Sequence, residues 1–269
     1  ILPIPGKDLQ GVLAYRDIAD TQAMIDAAAH YKHAVVIGGG LLGLEAANGL
    51  CKRGMQVAVV HASEWLMERQ LDDVAGKMLQ KSLQERGMQF LMKAQTQELL
   101  ADDAGRVRAV RFKDGSEVSA DLVVMAVGIR PNVALAQNMR LHVNRGIVVN
   151  DTMQTTTDAR IYAVGECAEH RGVAYGLVAP LFEQGKVAAN HLAEFGIGRY
   201  QGSLTSTKLK VTGIDLFSAG DFMGGEGTEE IVMSDPGAGL YNKLVLKDDK
   251  LVGACLYGDT VDGSWYFKL

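Results

Sequence analysis

Short, uninterrupted apolar runs alternate with helical periodicity in the first half of the chain. Ala34-Val35-Val36-Ile37 is brief and wholly apolar, the pattern of a parallel strand covered on both faces. Three glycines follow, then an Ala/Leu-rich segment from Leu41 to Lys52 that predicts a helix. Val57 to Val60 predicts a second buried strand. Strand, helix and strand thus fit within about 30 residues, the compass of a β–α–β unit. Upstream, Ile1 to Asp17 reads as a loop with a short strand and a Pro5-Gly6 turn. Asp20 or Thr21 is the expected cap of a helix reaching His30.

A polar helix is predicted from Asp73 to Arg86, stopped by Gly87 as a C′ glycine. The period then switches. From Thr96 to Val124, turns at Asp103-Ala104-Gly105 and Asp114-Gly115 divide the chain into a three-stranded antiparallel meander. Leu122 to Val127 is again fully apolar and is expected to return to the parallel sheet. Further strands are predicted at Ile147-Val148-Val149 and Ile161-Tyr162-Ala163-Val164. Pro180 suits the first turn of a helix running to about Glu194. After Tyr200 the pattern predicts a separate antiparallel α+β unit. It ends in a hairpin of Leu240 to Lys247 and Leu251 to Tyr257, turned at Asp248-Asp249.

The segment Val35 to Glu45 carries the chemistry. It holds G-x-G-x-x-G as Gly38, Gly40 and Gly43, between a buried strand and a helix. That context makes an otherwise weak pattern specific for a dinucleotide. Gly38 permits the tight turn, Gly40 lets a pyrophosphate approach the backbone, and Gly43 lets helix and strand pack closely. The helix start at Leu41 and Leu42 supplies unpaired N–H groups and partial positive charge for the diphosphate. The second strand of such units ends in Asp or Glu, which binds the ribose hydroxyls of NAD. Here that position is His61, either a ribose contact or simply an exposed strand end. No arginine follows within the next few residues to pair a 2′-phosphate, which favours NADH, with NADPH still open. Glu45, on the second turn of the helix, is either a solvated surface carboxylate or part of the site.

Composition narrows the classes. A formal charge of −5 with scattered Lys and Arg argues against nucleic-acid binding. No apolar run reaches the ~18 residues of a membrane span. Cys51, Cys167 and Cys255 are far apart, without the spacing of a redox pair or iron–sulfur ligand set. They read as reduced, packed thiols. The six dispersed histidines include no H-E-x-x-H, against a zinc site. The opening Ile1-Leu2-Pro3, without Met or a signal segment, reads as the middle of a longer protein.

Three segments occur in order: the glycine turn, Asp121 to Asn132, and Thr157 to Glu166. Together they resemble the FAD-dependent pyridine nucleotide-disulfide oxidoreductase superfamily, over essentially the whole chain. Within it the chain is most similar to the large subunits of assimilatory NAD(P)H nitrite reductases. Ile1 to Gly6, Leu66 to Asp72, Ala163 to Cys167 and Thr207 to Phe217 add to the likeness. Rubredoxin and ferredoxin reductases are near neighbours.

The resemblance implies an α/β fold with a Rossmann-like dinucleotide-binding domain and its meander, part of an FAD-binding domain, and a C-terminal α+β interface domain. It divides the chain into residues 1–20 as a remnant of the FAD-binding domain, 21–128 for NAD(P)H, 129–197 as the second part of the FAD-binding domain, and 198–269 as the interface domain. Gly165 and Glu166 match a Gly-Asp element whose carboxylate holds the ribityl chain of FAD; Glu reaches one methylene further. Pro180 and Leu181 match a helix start facing the flavin ring. Glu45 matches a glutamate near the nicotinamide–flavin contact, and Ala126 and Gly128 a strand end against which the nucleotide lies.

The implied activity is hydride transfer from NADH to FAD, then single electrons to iron centres in an acceptor domain or small subunit. In the parent protein this ends in reduction of nitrite to ammonia. The module for the ADP half of FAD is expected upstream, and an iron–sulfur cluster and siroheme downstream. A cytoplasmic setting and a homodimer are compatible with this. Rival readings are a rubredoxin or ferredoxin reductase, an NADH oxidase, or a non-catalytic dinucleotide-binding module.

Overall fold

The computed structural model describes residues 1–211 and 213–269. Thr212, inside the Thr207 to Phe217 segment quoted above, lies outside the described residues. The chain forms two compact units: Ile1–Gly128 together with Ser206–Leu269, and Ile129–Thr205.

The first unit opens with β1 (Val12–Ala14), α1 (Ile18–His30), β2 (His33–Ile37), α2 (Leu41–Lys52), β3 (Gln56–His61), α3 (Asp73–Glu85) and β4 (Gln89–Met92). The meander follows as β5 (Thr96–Ala101), β6 (Val107–Phe112) and β7 (Glu117–Ser119), and β8 (Leu122–Met125) returns to the main sheet. That sheet has the order β1-β8-β2-β3-β4 and is parallel throughout. Alternate residues of its central strands serve different cores. Val36, Val57, Val59 and Val124 pack with Leu44, Leu50, Leu79 and Leu83 of α2 and α3. Val35, Val60, Val123 and Met125 pack with Val107, Val110 and Phe112 of the meander. Burial on both faces is why these strands read as unbroken apolar runs.

Three local details depart from expectation. α1 starts one turn earlier, because Asp17 and Asp20 form a reciprocal capping box. Ile18, which opens that turn, is 88% exposed and so carries no periodic signal. β4 was not expected; it is a short edge strand entered through the left-handed Gly87. β8 stops at Met125, ahead of the predicted Val127.

The unit is completed by β11 (Ser206–Val211), β12 (Ile214–Gly220), β13 (Glu229–Asp235), β14 (Leu240–Lys247), β15 (Lys250–Tyr257) and a short α6 (Gly263–Tyr266). These five strands form an antiparallel sheet, order β11-β12-β15-β14-β13. Asp248 and Asp249 both take left-handed φ values, 51° and 58°, as the two-residue hairpin turn requires. The sheet does not stand apart: Leu216, Tyr241, Cys255 and Tyr257 share the core of α2 and α3.

The second unit holds α4 (Ala134–Asn138), β9 (Ile147–Val149), β10 (Ala168–His170) and α5 (Val178–Leu192). β9 and β10 pair in parallel. The strand predicted at Ile161–Val164 does not form; Tyr162 makes an isolated bridge to Gln154. Its apolar residues are used for packing instead, Ala163 and Tyr162 joining a small core with Met153, Ala188 and Tyr200. The chain then turns at the left-handed Gly165 before β10 begins.

Candidate dinucleotide site

Each motif glycine has a distinct physical requirement. Gly38 has φ +121°, and a Cβ there would overlap the carbonyl oxygen of Ala126 at the end of β8. Gly43 is buried at the first turn of α2, where a Cβ would overlap the carbonyl oxygen of Gly38. Gly40 is different. Its φ of −85° suits any residue, and a Cβ would meet nothing within 4 Å. It is the N-cap of α2 and provides no side-chain hydrogen bond. The first-turn amides of α2 therefore lack a side-chain cap, and the space before them is open, as an anion requires.

That space is part of a cavity of about 440 Å³, within the usual range for a small-ligand site. Gly38 to Leu42 form one part of its wall and Ala126 to Gly128 another. His61, Ala62, Ser63, Glu68 and Arg69 also line it. The sequence-predicted Gly38, Gly40, Leu41, Leu42, His61, Ala126 and Gly128 are thus brought to one cavity. Glu45 is exposed on α2 and is not among the lining residues.

His61 is not an exposed strand end: it is only 7% accessible. Its Nδ1 lies 3.1 Å from the backbone nitrogen of Gly39. An amide can only donate, so Nδ1 is the acceptor and the ring proton sits on Nε2. Nε2 in turn lies 3.0 Å from both Glu68 Oε2 and the Trp65 carbonyl oxygen. Gly39 is held from its other side as well, its carbonyl accepting from Met67 N–H at 3.0 Å. A Cβ on Gly39 would come within 2.8 Å of the His61 ring and 2.7 Å of Leu66. The segment 61–69 therefore clamps the glycine turn. Sequence reading missed Gly39, Glu68 and Arg69. The absence of a nearby arginine after His61 holds in sequence, yet the fold brings Arg69 to the same cavity.

In the second unit, Gly165 (φ +92°) donates its N–H to Gln184 Oε1 at 2.9 Å. This joins the Gly165-Glu166 turn to the second turn of α5. Pro180 is buried in the first turn of α5, where an amide would have no intrahelical partner. Leu181 is half-buried beside it, and the N-cap Leu177 makes no side-chain bond. Gln184 is fully buried, and its Nε2 has no partner among the described residues. A turn carboxylate at Glu166, an uncapped helix start and a buried orphan donor fit a polar ring ligand such as a flavin. No group of three or more metal-binding side chains occurs among the described residues, and no described helix is long and apolar enough to cross a membrane.

A parallel sheet with an uncapped glycine turn after its second strand, in a chain whose other unit holds a second polar turn and an uncapped helix start, defines an α/β fold of the dinucleotide-binding type. The chain belongs to the pyridine nucleotide-disulphide oxidoreductase family, whose model matches residues 1–191. Residues 206–269 match the rubredoxin NAD+ reductase C-terminal domain. An NAD(P)H nitrite reductase of Bacillus subtilis is 55% identical over 269 residues, covering all of this chain and 33% of that protein. The assimilatory nitrate reductase electron transfer subunit of the same organism is 50% identical, over 97% of this chain and 34% of that protein. A ferredoxin reductase structure from Rhodopseudomonas palustris superposes with a TM-score of 0.85 at 25% identity, over 98% of this chain and 65% of that one. The chain spans about a third of the length of these two curated relatives.

Proposed function

We propose that the Gly38–Gly43 cavity binds NADH, and that the chain works as the reductase module of a larger flavoprotein. The observation that carries this is the contrast among the glycines: Gly38 and Gly43 are needed by the fold, whereas Gly40 faces open space. An evolved turn has no packing reason to keep that space free, but a pyrophosphate needs it. We assign the NADH-binding domain to residues 21–128, with 1–20 as a connecting remnant of the FAD-binding domain. Residues 129–197 are the second part of that domain and 198–269 the interface domain.

In this reading the α2 amides and dipole hold the diphosphate, and Ala126 and Gly128 bound the path toward the nicotinamide. Glu45 belongs near the nicotinamide–flavin contact. Gly165, Glu166, Pro180 and Leu181 hold FAD, with Glu166 accepting from the ribityl hydroxyls. FAD, when bound, accepts a hydride and releases electrons singly. The residues named here bind and orient; no proton transfer is required of them. The proposed onward acceptors are an iron–sulfur cluster and siroheme in an acceptor domain or small subunit, with nitrite as final substrate, in the cytoplasm.

The match of residues 206–269 to a rubredoxin reductase domain favours one alternative, a reductase for a small iron–sulfur protein. Two measurements decide these points. Calorimetry of NADH against the 269-residue chain tests the cavity; no binding would end the assignment. Anaerobic mixing of NADH with the FAD-loaded full protein tests the reductase role. Bleaching of the flavin supports it, and an unchanged spectrum leaves only a binding module. Rapid turnover with rubredoxin but none with nitrite would move the full protein to the alternative class.

A further inference from the structure

The strand-end carboxylate that reads a ribose is missing from β3, yet a carboxylate reaches the same cavity by another route. Glu68 lines the cavity and is held there, its Oε2 3.0 Å from His61 Nε2. Its side chain keeps 35% of its surface accessible. Its position is fixed by more than this one bond. Met67, one residue earlier, is 1% exposed with φ 55°, and its N–H is bonded to Gly39. Its carbonyl accepts from Gln70 and Leu71 at 2.7 and 2.8 Å. Trp65 Nε1 donates to the Leu71 carbonyl at 3.0 Å. A tight, buried turn therefore presents Glu68 to the cavity in one orientation.

We propose that Glu68 replaces the missing strand-end acid: it accepts from the adenosine ribose hydroxyls and sets a preference for NADH over NADPH. His61 is its positioning residue. This rests on the dinucleotide reading given above. The chemistry needs a fixed carboxylate beside the strand end, which can accept from two neighbouring hydroxyls. A 2′-phosphate would bring roughly two negative charges against the same carboxylate, a repulsion strengthened by partial burial. His61 links the two ends of the cavity. One ring nitrogen orders the amide of Gly39 in the phosphate turn, and the other orders Glu68. Arg69, exposed and adjacent, is the one lysine or arginine among the lining residues. It is the competing candidate, since a guanidinium would favour the 2′-phosphate.

The test is a set of calorimetric affinities for NADH and NADPH with the unmutated 269-residue chain, Glu68→Gln, Glu68→Lys and Arg69→Gln. Circular dichroism confirms each fold. The unmutated chain is expected to prefer NADH. Glu68→Gln should weaken NADH about tenfold, the scale of charge-assisted hydrogen bonds, and bring the two affinities together. Glu68→Lys should invert the preference, while Arg69→Gln should leave it in favour of NADH. An NADH-to-NADPH ratio unchanged within twofold in both Glu68 variants overturns the proposal but leaves the dinucleotide site standing. So does a native NADPH preference that Arg69→Gln abolishes. Failure of the unmutated chain to bind either nucleotide overturns both readings.

Discussion

Tyr241 of β14 donates a hydrogen bond of 2.6 Å to Oδ2 of Asp72, 169 positions earlier, with both residues almost fully buried. Asp72 is also the N-cap of α3, its Oδ1 accepting from Ala75 N–H at 3.0 Å. One carboxylate thus caps a helix packed on the parallel sheet and anchors the C-terminal sheet. Lys243 Nζ, 3.8 Å from Asp72 and 2.8 Å from Glu230, supplies the opposite charge. Burial, then the bond to Asp72, pushes the Tyr241 hydroxyl well above its ordinary range. Tyr241→Phe leaves a buried carboxylate short of a donor, and should cost about 1–3 kcal/mol in urea denaturation. Because the folded value is raised, this contribution is complete below pH ~10 and is lost as pH rises above it. Cys255, pushed up to about 12 by burial, adds to the same alkaline loss. Equal alkaline slopes in the unmutated chain and Tyr241→Phe would remove Tyr241 from this account.

The glycines give a pair of substitutions with opposite consequences. Gly40→Val should fold, because its backbone is ordinary and its Cβ meets open space. It should nevertheless weaken NADH by more than about tenfold, since the branched side chain fills the pyrophosphate path. Gly43→Ala should fail earlier, at folding, because its methyl would overlap the Gly38 carbonyl oxygen between α2 and β2. Forcing that contact apart costs about 1–3 kcal/mol or more. Thermal melts and calorimetry on the two proteins check this. A stable Gly43→Ala with a fold-dead Gly40→Val would reverse the assignments.

What was legible in sequence was local. The tight turn at Gly38 and the close packing at Gly43 follow from positions in one turn, and the turn's neighbours fix its context. The parallel strands were visible because burial on both faces leaves no polar interruption. The Asp248-Asp249 hairpin was visible because two short acidic residues between apolar runs predict a tight turn. The misses were relations across the chain. His61 read as either a ribose contact or an exposed strand end, because its partner Gly39 lies 22 residues away. Arg69 lay beyond the few residues in which an arginine was sought, and only the Met67 turn brings it to the cavity. Ile161–Val164 has strand composition, but Gly165 bends the chain before a ladder forms, and β10 takes the place beside β9.

Acid should act on the second unit through Glu169. This residue is 4% exposed in β10. Its carboxylate accepts from Gly146 N–H at 2.9 Å and Asn144 Nδ2 at 3.1 Å. The Gly146 amide is the main reason its carboxyl titrates below the usual glutamate range. A lowered folded value means that the stabilisation is complete above the unfolded value of ~4.3 and is lost as pH falls through the folded one. Glu169→Gln should be less stable than the unmutated chain at pH 7, by about 1–2 kcal/mol. The gap should close as pH falls below ~4.3. Denaturant titrations at pH 7, 5 and 3 measure it, and a gap constant across that range would exclude the carboxylate charge as the cause.

The flavin half of the proposal has an unequal footing in these residues. The residues assigned to the ribityl chain and ring in the proposed function, Gly165, Glu166, Pro180 and Leu181, all lie between Ile129 and Thr205. The ADP half of FAD needs a phosphate cradle of its own. The 269 residues contain one G-x-G-x-x-G, at Gly38 to Gly43, and it is assigned to NADH. A helix N-terminus opened by such a glycine turn contributes much of the diphosphate binding in these sites, and among the described residues the one helix start of this kind, at Gly40, is assigned to NADH. The 269-residue chain should therefore bind NADH by calorimetry yet retain little flavin after desalting, and show no nitrite reduction. The full protein should in contrast be yellow and show NADH-dependent dye reduction. Glu166→Gln in that longer protein should then weaken FAD by about tenfold, as loss of charge-assisted bonds to the ribityl hydroxyls implies. The measurement is flavin absorbance per chain. A near-stoichiometric value for the 269-residue chain would show that the Gly165-Glu166 turn and the α5 start hold FAD unaided, and would overturn this account of flavin binding.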